Sequence, residues 1–275
     1  VKELPGAESQ PLSIWTQRLD RLREMELESG VVELPAATPL EPEGNILWML
    51  EIEQWRSALD LMGGSGALTC AIANHFDEVV YLDTRPSMAE LARRRLNAEG
   101  VLNASVREGN PTLLPYANAS FDWIAAQDVL DALVTHNAAD PRVLMKAILI
   151  ECRRVLRPGG GLYLRAANSQ DLPSLPLMRF LARRHQAIGN SSSVALSSRW
   201  LRRALRQAGF ADVRLYYVEP SRELPMALIP ATRSAVEVYE SRGHLVRFSG
   251  RLRRLAARAG LHATLYSALV ALAYL

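Results

Sequence analysis

The sequence predicts an α/β protein organised around a doubly wound, mostly parallel sheet of seven strands. Three observations carry this expectation. From residue 57 onward, short apolar runs alternate with longer amphipathic stretches. A glycine-rich turn, Gly63-Gly64-Ser65-Gly66, follows the first of these runs, and a strong breaker, Arg157-Pro158-Gly159-Gly160, stands ahead of a later one. Such alternation is the pattern of βα units whose helices cover both faces of a parallel sheet.

Strands are expected at residues 58–62, 78–82, 104–108, 121–126, 161–165 and 212–218, and the apolar run 264–275 completes the sheet. Helices are expected at 67–75, 86–98, 141–156, 174–186 and 197–208. The second of these has Pro86 at its first turn, Ser87 and Glu90 at capping-box spacing, and Gly100 as a stop. Ahead of the alternating region, residues 11–25 have helical apolar spacing, 35–44 read as a Pro/Glu-rich connector, and 46–55 are again apolar. The chain therefore divides into an N-terminal helix and connector (1–44), a βα core (45–170), and a completing region (171–275) with an insertion at 219–262 that shows no motif.

Composition narrows the function classes. Of 275 residues, 49% are hydrophobic and 22% charged, which suits a packed body and excludes disordered or fibrous classes. The net charge of +3 comes from 32 basic residues, of which only Lys2 and Lys146 are lysine, against 29 acidic ones, so composition alone builds no phosphate-binding face. Cys70 and Cys152 lie in apolar helical patterns away from any CxxC or His-rich stretch, which argues for reduced thiols and against a disulfide framework or a metal site. With no secretory leader pattern and no apolar run of about 18 residues, a cytoplasmic location is expected.

The most informative stretch runs from Asp60 to Gly66. Glycines between a strand and a helix let backbone approach a ligand closely, and the helix start offers free N–H groups. A dinucleotide fingerprint counted from Gly64 would need glycine where Thr69 stands, and no Gly-Lys-Ser/Thr follows to make a P-loop. Asp83, with Thr84 after it, ends the second strand about 20 residues past the loop, the distance at which a carboxylate accepts the hydroxyls of a nucleoside ribose. Capping of the following helix is the plainer role for Asp83, and the two are compatible.

At these residues the chain resembles the class I S-adenosyl-L-methionine (SAM)-dependent methyltransferases, the seven-strand, Rossmann-like family, and especially their type-11-like group. Asp60 with Gly63, Gly64 and Gly66 is similar to the first motif and Asp83 to the ribose acid. Glu108-Gly109-Asn110 with Leu114-Pro115 resembles the adenine-side loop, residues 120–124 the fourth strand, and residues 156–160 the turn into the fifth. The resemblance covers residues 45–170 in order. It implies SAM as cofactor, Gly64 and Gly66 at the methionine moiety, Asp83 at the ribose, Asn110 at the adenine amino group and Gln127 near the sulfonium. Met62 stands where the family has glycine, and Asn110 where it has aspartate.

Methyl transfer asks the protein to align a nucleophile and exclude water, with a base when the acceptor is a hydroxyl. Candidates for that base follow the fourth strand: Asp128, Asp131 and His136, each with a plainer reading as a helix-start acid or a surface histidine. The C-terminal plan is similar to that of bacterial methyltransferases acting on glycans, lipid-linked sugars or secondary metabolites, so a small-molecule, glycan or lipid-linked acceptor and O-methylation are expected. Nucleic acid is not, because Gln127-Asp128-Val129-Leu130 stands where an Asn/Asp-Pro-Pro-Tyr signature would be. Residues 244–258 form a basic stretch with an apolar stripe, which reads as a solvated helix or as a peripheral contact with an anionic membrane. Met62 and Asn110 motivate the alternative, a catalytically degenerate member of the fold serving as a binding or scaffold subunit.

Overall fold

The computed structural model describes residues 32–33, 56–134, 140–169, 194–220, 225–242, 259 and 261–275. Ten strands form one sheet: β1 (Val32–Glu33), β2 (Ser57–Leu61), β3 (Glu78–Asp83), β4 (Ala104–Glu108), β5 (Phe121–Gln127), β6 (Leu156–Asn168), β7 (Ala195–Leu196), β8 (Asp212–Pro220), β9 (Pro225–Pro230) and β10 (Ala268–Tyr274). Their order is β1-β9-β8-β10-β6-β5-β2-β3-β4, with β7 paired to β6. Strands β4, β3, β2, β5 and β6 run parallel, whereas β10 is antiparallel to both β6 and β8.

Winding starts at β2 and proceeds outward through β3 and β4, then returns to the other side of β2 for β5 and β6. The reversal lies between β2 and β5, and in such sheets the crevice beyond the carboxyl ends of those strands is where ligands bind. All seven expected strands are present. The sheet also contains β1, β7 and β9, which were not expected, and β9 falls inside the supposed motif-free insertion together with helix Arg233–Arg242.

Alternation along the strands fills both faces. On one face, Leu59, Leu61, Ile124 and Ala126 pack with Val129, Leu130 and Leu133 of α3 (Val129–Val134), with Met145, Ile148 and Cys152 of α4 (Pro141–Val155), and with Leu201 and Leu205 of α5 (Ser198–Ala208). On the other, Ala58, Trp123 and Ala125 meet Leu68 and Ile72 of α1 (Ala67–Ala73), and Tyr81 meets Ala89 and Ala92 of α2 (Pro86–Ala98). The sixth helix, α6 (Arg233–Arg242), covers β9 through Val236 and Tyr239.

Local signals were mostly read correctly, with two corrections. Pro86 opens α2, but Arg85 is its N-cap without a side-chain cap, and the Ser87–Glu90 capping box does not form. Glu90 instead reaches forward to Arg94 at 2.8 Å. A helix does end just ahead of the Arg157–Gly160 breaker, α4 at Val155, but the breaker does not precede the strand that follows. It is an excursion within β6, since Phe121 pairs with Leu156 and Trp123 already pairs with Gly161. Arg157 from this excursion holds the buried Asp122 at 2.8 Å, and Asp122 also accepts from the Ser57 amide at 2.9 Å, which fastens the foot of β2 to β5. Burial works against the charge on Asp122. Arg157 and the Ser57 donors outweigh it and hold the carboxyl below the ordinary range.

Candidate active site

The turn after β2 is set by its backbone. Met62, Gly64 and Gly66 have φ of 57°, 57° and 79°, so alternate residues are left-handed and the chain doubles back into α1. At Gly63 the demand is close approach. A Cβ there would overlap the Asp60 carboxylate and come within 2.8 Å of the Tyr81 ring. At Gly66 it would meet Ala92 of α2 at 3.0 Å, in a backbone conformation that already disfavours a side chain. Asp60 beneath the turn is fully buried and accepts from Thr69 Oγ1 at 2.6 Å, which ties the strand to α1.

Met62 is the exception in this turn. Left-handed backbone costs a non-glycine residue about 1–2 kcal/mol. Its side chain is only 4% exposed and belongs to the apolar cluster of Leu82, Leu114 and Val129, a burial of about 1.5–3 kcal/mol that offsets the strain. Its amide donates to the Leu82 carbonyl, and Thr84 Oγ1 touches its sulfur at 3.9 Å. Met62 therefore packs into the core.

At the end of β3, Asp83 is also fully buried. Tyr81, two residues earlier on the same face of the strand, links it to the glycine turn: the phenol donates to the Gly64 carbonyl at 2.7 Å and lies 3.2 Å from Asp83 Oδ2. Burial, and then the Asp83 charge, push the Tyr81 phenol well above its ordinary range, so it stays a proton donor. Gly64 and Asp83 thus flank one point of the molecule. Arg85 encloses the acid as well, its Nε 2.9 Å from Oδ1, its Nη2 2.7 Å from Oδ2 and its amide 2.9 Å from Oδ1. The Asp83 carboxylate thus forms a turn with the Arg85 amide without itself being the helix cap.

A cavity of about 180 Å³ opens on the turn, lined by Asp60, Met62, Gly63, Gly64, Ser65, Leu68, Gln127 and Arg165. Gln127 ends β5 beside Arg165 of β6, and its buried Nε2 has no hydrogen-bond partner among the described residues. Asp128, at φ 49°, is held by the same Arg165, with Oδ2 at 3.0 Å from Nε and 2.8 Å from Nη2. The Asp131 carboxylate accepts the Val194 amide at 2.7 Å. Both candidate bases therefore have structural duties. His136 lies outside the described residues, as do 174–186 and 244–258.

A second, wider cavity of about 670 Å³ is lined by Thr84, Arg85, Pro86, Ser87, Gly109, Asn110, Ala132 and Leu133. Met62 lines the first cavity and Thr84 the second, and the two side chains touch at 3.9 Å. Asn110 sits on the adenine-side loop as expected, but its Oδ1 accepts both the Thr112 amide at 2.9 Å and the Thr112 hydroxyl at 2.8 Å. Its amide NH₂, a donor, is left for a ligand, where a carbonyl acceptor had been expected. The loop beyond is anchored by Arg154, which donates to the carbonyls of Leu114 and Tyr116 and pairs with Glu151.

The structure therefore places Asp60, Gly63, Gly64 and Gln127 on the smaller cavity and Thr84 and Asn110 on the wider one, while Gly66 packs on Ala92 and the buried Asp83 is joined to the turn through Tyr81. Sequence reasoning missed Tyr81, Arg85 and Arg165. A tyrosine in an apolar run reads as core, and arginines read as solvated. The period-two spacing of Tyr81 and Asp83, and the placement of Arg165 at the end of a strand beside Gln127, were the available signals. The residues fit an adenosyl-methionine group. A turn that excludes a side chain at Gly63 lines one cavity with a buried, unsatisfied amide donor, and a second, wider cavity is lined by Thr84 and Arg85, the two residues after the buried acid. Among the described residues no cluster of three or more His, Cys, Asp or Glu is placed to hold a metal, and no helix is long and apolar enough to cross a membrane.

Residues 59–164 match the family described as a methyltransferase domain. A trans-aconitate 2-methyltransferase of Methylobacterium radiotolerans is 30% identical over 177 residues, 62% of this chain and 61% of that protein. A demethylmenaquinone methyltransferase of Geobacillus stearothermophilus is 26% identical over 119 residues, 42% and 47% of the two chains. The chain thus spans less than two thirds of the length of these curated relatives. Among solved structures, a SAM-dependent methyltransferase of Thermotoga maritima superposes with a TM-score of 0.52 at 14% identity, covering 96% of this chain and 99% of that one. That likeness speaks for the fold.

Proposed function

Because this chain belongs to the class I, Rossmann-like SAM-dependent methyltransferases, we propose that it transfers a methyl group from SAM to an oxygen of a small-molecule acceptor. The observation that carries the reading is the cavity lined together by the turn at Gly63–Gly64 and the unsatisfied Gln127 amide, with the buried Asp83 joined to that turn through Tyr81. When bound, SAM supplies a methyl on a sulfonium, an electrophile that needs in-line approach of a nucleophile and no metal activation.

The chain's own residues have definable parts. The turn receives the methionine moiety on backbone, with Arg165 lining the same cavity as a positive group suited to its carboxylate. Asp83 receives the ribose hydroxyls. The Asn110 amide, as a donor, meets a ring nitrogen of adenine. Asp128 and Asp131 are engaged by Arg165 and by the Val194 amide, which favours an acceptor that needs no base. A carboxylate oxygen is such a nucleophile, and a relative named for trans-aconitate supports it. Glycan and lipid-linked acceptors belong to the same proposal at lower rank, because their hydroxyls call for a base.

Calorimetry with SAM and S-adenosylhomocysteine, followed by transfer of labelled methyl to a panel of small carboxylic acids and hydroxylated glycans, tests this. Binding of both cofactor forms and labelling of a carboxylic acid are expected. Binding without transfer to any acid would remove the carboxylate acceptor, and absence of binding would remove the cofactor assignment. The degenerate-scaffold alternative receives no support, since Met62 packs in the core and leaves the turn formed.

A further inference from the structure

We infer that Arg85 competes with the cofactor for Asp83, so that binding of the adenosyl ribose is an exchange in which the guanidinium leaves the acid. The inference rests on the cofactor assignment proposed above and goes beyond it, to a residue that sets how tightly and how selectively the crevice takes its ligand.

A carboxylate offers two oxygens and about four acceptor positions. At Asp83 three of these are filled, and the fourth is walled off by the Tyr81 oxygen, whose one proton goes to the Gly64 carbonyl. Oδ1 takes the Arg85 amide and Nε, each at 2.9 Å, while Oδ2 takes Nη2 at 2.7 Å and faces the Tyr81 phenol at 3.2 Å. The guanidinium fork spans both oxygens in parallel, and a vicinal diol would engage the carboxylate by the same two-point geometry. The Arg85 amide is fixed by the start of α2, and Tyr81 is committed to Gly64. Only the fork can yield. Asp83 itself is fully buried, so no second face of the carboxylate is open to the ribose.

The arginine has somewhere to go. Its side chain is 26% exposed and lines the wider cavity beside Ser87 and Asn110, so rotation about its side-chain bonds carries the guanidinium into solvent without moving α2. Until it does, the acid is not available, and the apparent affinity is reduced by the fraction of molecules in which the fork has left. A ligand with both ribose hydroxyls replaces the lost hydrogen bonds, whereas one without them does not. Arg85 therefore acts on the ligand through Asp83, as a positioning residue that discriminates in favour of an intact ribose.

The test is calorimetric binding of S-adenosylhomocysteine and of its 2′,3′-dideoxy analogue to the full chain and to Arg85→Met, Arg85→Ser and Asp83→Asn. Both Arg85 variants should bind S-adenosylhomocysteine at least about fivefold more tightly than the parent, as expected for release from a charge-assisted pair, and should show no gain for the dideoxy analogue. Their ligand-free forms should melt below the parent, and saturation with S-adenosylhomocysteine should narrow that gap. Unchanged or weaker binding by the variants, with the parent binding and Asp83→Asn losing affinity, overturns the role of Arg85 alone. Failure of the parent to bind S-adenosylhomocysteine overturns both this role and the cofactor assignment. An equal gain for the dideoxy analogue would show that Arg85 obstructs the crevice without competing for the acid, and would also overturn the proposal.

Discussion

The two halves of the crevice are built from the same materials, a fully buried aspartate at or near a strand end and the short turn that follows, on the neighbouring strands β2 and β3. They differ in what occupies the turn. After β2, glycine removes the side chain where it would strike Asp60 and Tyr81, and the space that remains is open. After β3, Arg85 folds back and saturates the acid. The first half is ready for a ligand as it stands; the second has to trade one set of hydrogen bonds for another. Shape is therefore contributed mainly by the β2 side, and discrimination mainly by the β3 side.

Substitutions can break or sharpen that contrast. The largest effect is expected at Gly63, where Gly63→Ala forces a methyl into Asp60 and Tyr81 and should lower stability by about 3 kcal/mol, the upper part of the overpacking range. Urea unfolding measures it, and an unchanged midpoint would mean that the turn is not rigid. Next, Asp83→Ala should weaken S-adenosylhomocysteine binding by about 1–3 kcal/mol, the scale of a lost charge-assisted bond; full affinity by calorimetry would take Asp83 out of the site. Met62→Gly should lower stability by about 0.5–1 kcal/mol, burial lost less strain relieved, while leaving cofactor affinity intact. A tenfold loss of affinity there would show that the Met62 side chain, which lines the smaller cavity, touches the ligand. The smallest change is expected for Asn110→Asp, which keeps the Thr112 contacts but replaces the amide donor that meets the adenine ring nitrogen with a carboxylate oxygen. Affinity should fall by about 1 kcal/mol or less, and a rise would mean that this position faces the adenine amino group instead.

The parallel half of the molecule was legible because its signals are local and mutually consistent. The helix at 86–98 and the strand at 104–108 were read to the residue, and the strands bearing Asp60 and Asp83 to within one. On the antiparallel side β9 was missed, because it both begins and ends on proline, Pro225 and Pro230, which reads as loop. In the structure the prolines sit at its termini, where a missing donor is tolerated. The site was legible as far as it depends on backbone and strand ends. Arg85, Arg165 and Tyr81 were not, because their roles depend on where long side chains turn: Arg85 back onto Asp83, Tyr81 toward Gly64 and Arg165 toward Asp128, the last two across longer stretches of chain. Asn110 shows the same limit in reverse: its position was anticipated, but the group it offers to a ligand is decided by Thr112 two residues on.

The place of β10 has a bearing on how the molecule assembles. Residues 268–274 lie between β6 and β8 and bond to both, although they follow both in the chain. During synthesis β6 and β8 leave the ribosome first, and each presents a bare edge toward the gap that β10 will fill. Ladder continuity from β6 to β8, β9 and β1 is reached only when a late segment is captured across a long stretch of chain, a slow class of event during which unpaired edges invite association with other chains. Growth of this sheet is thus completed from within, and the interval before that closure is the time when the nascent protein is most exposed to aggregation.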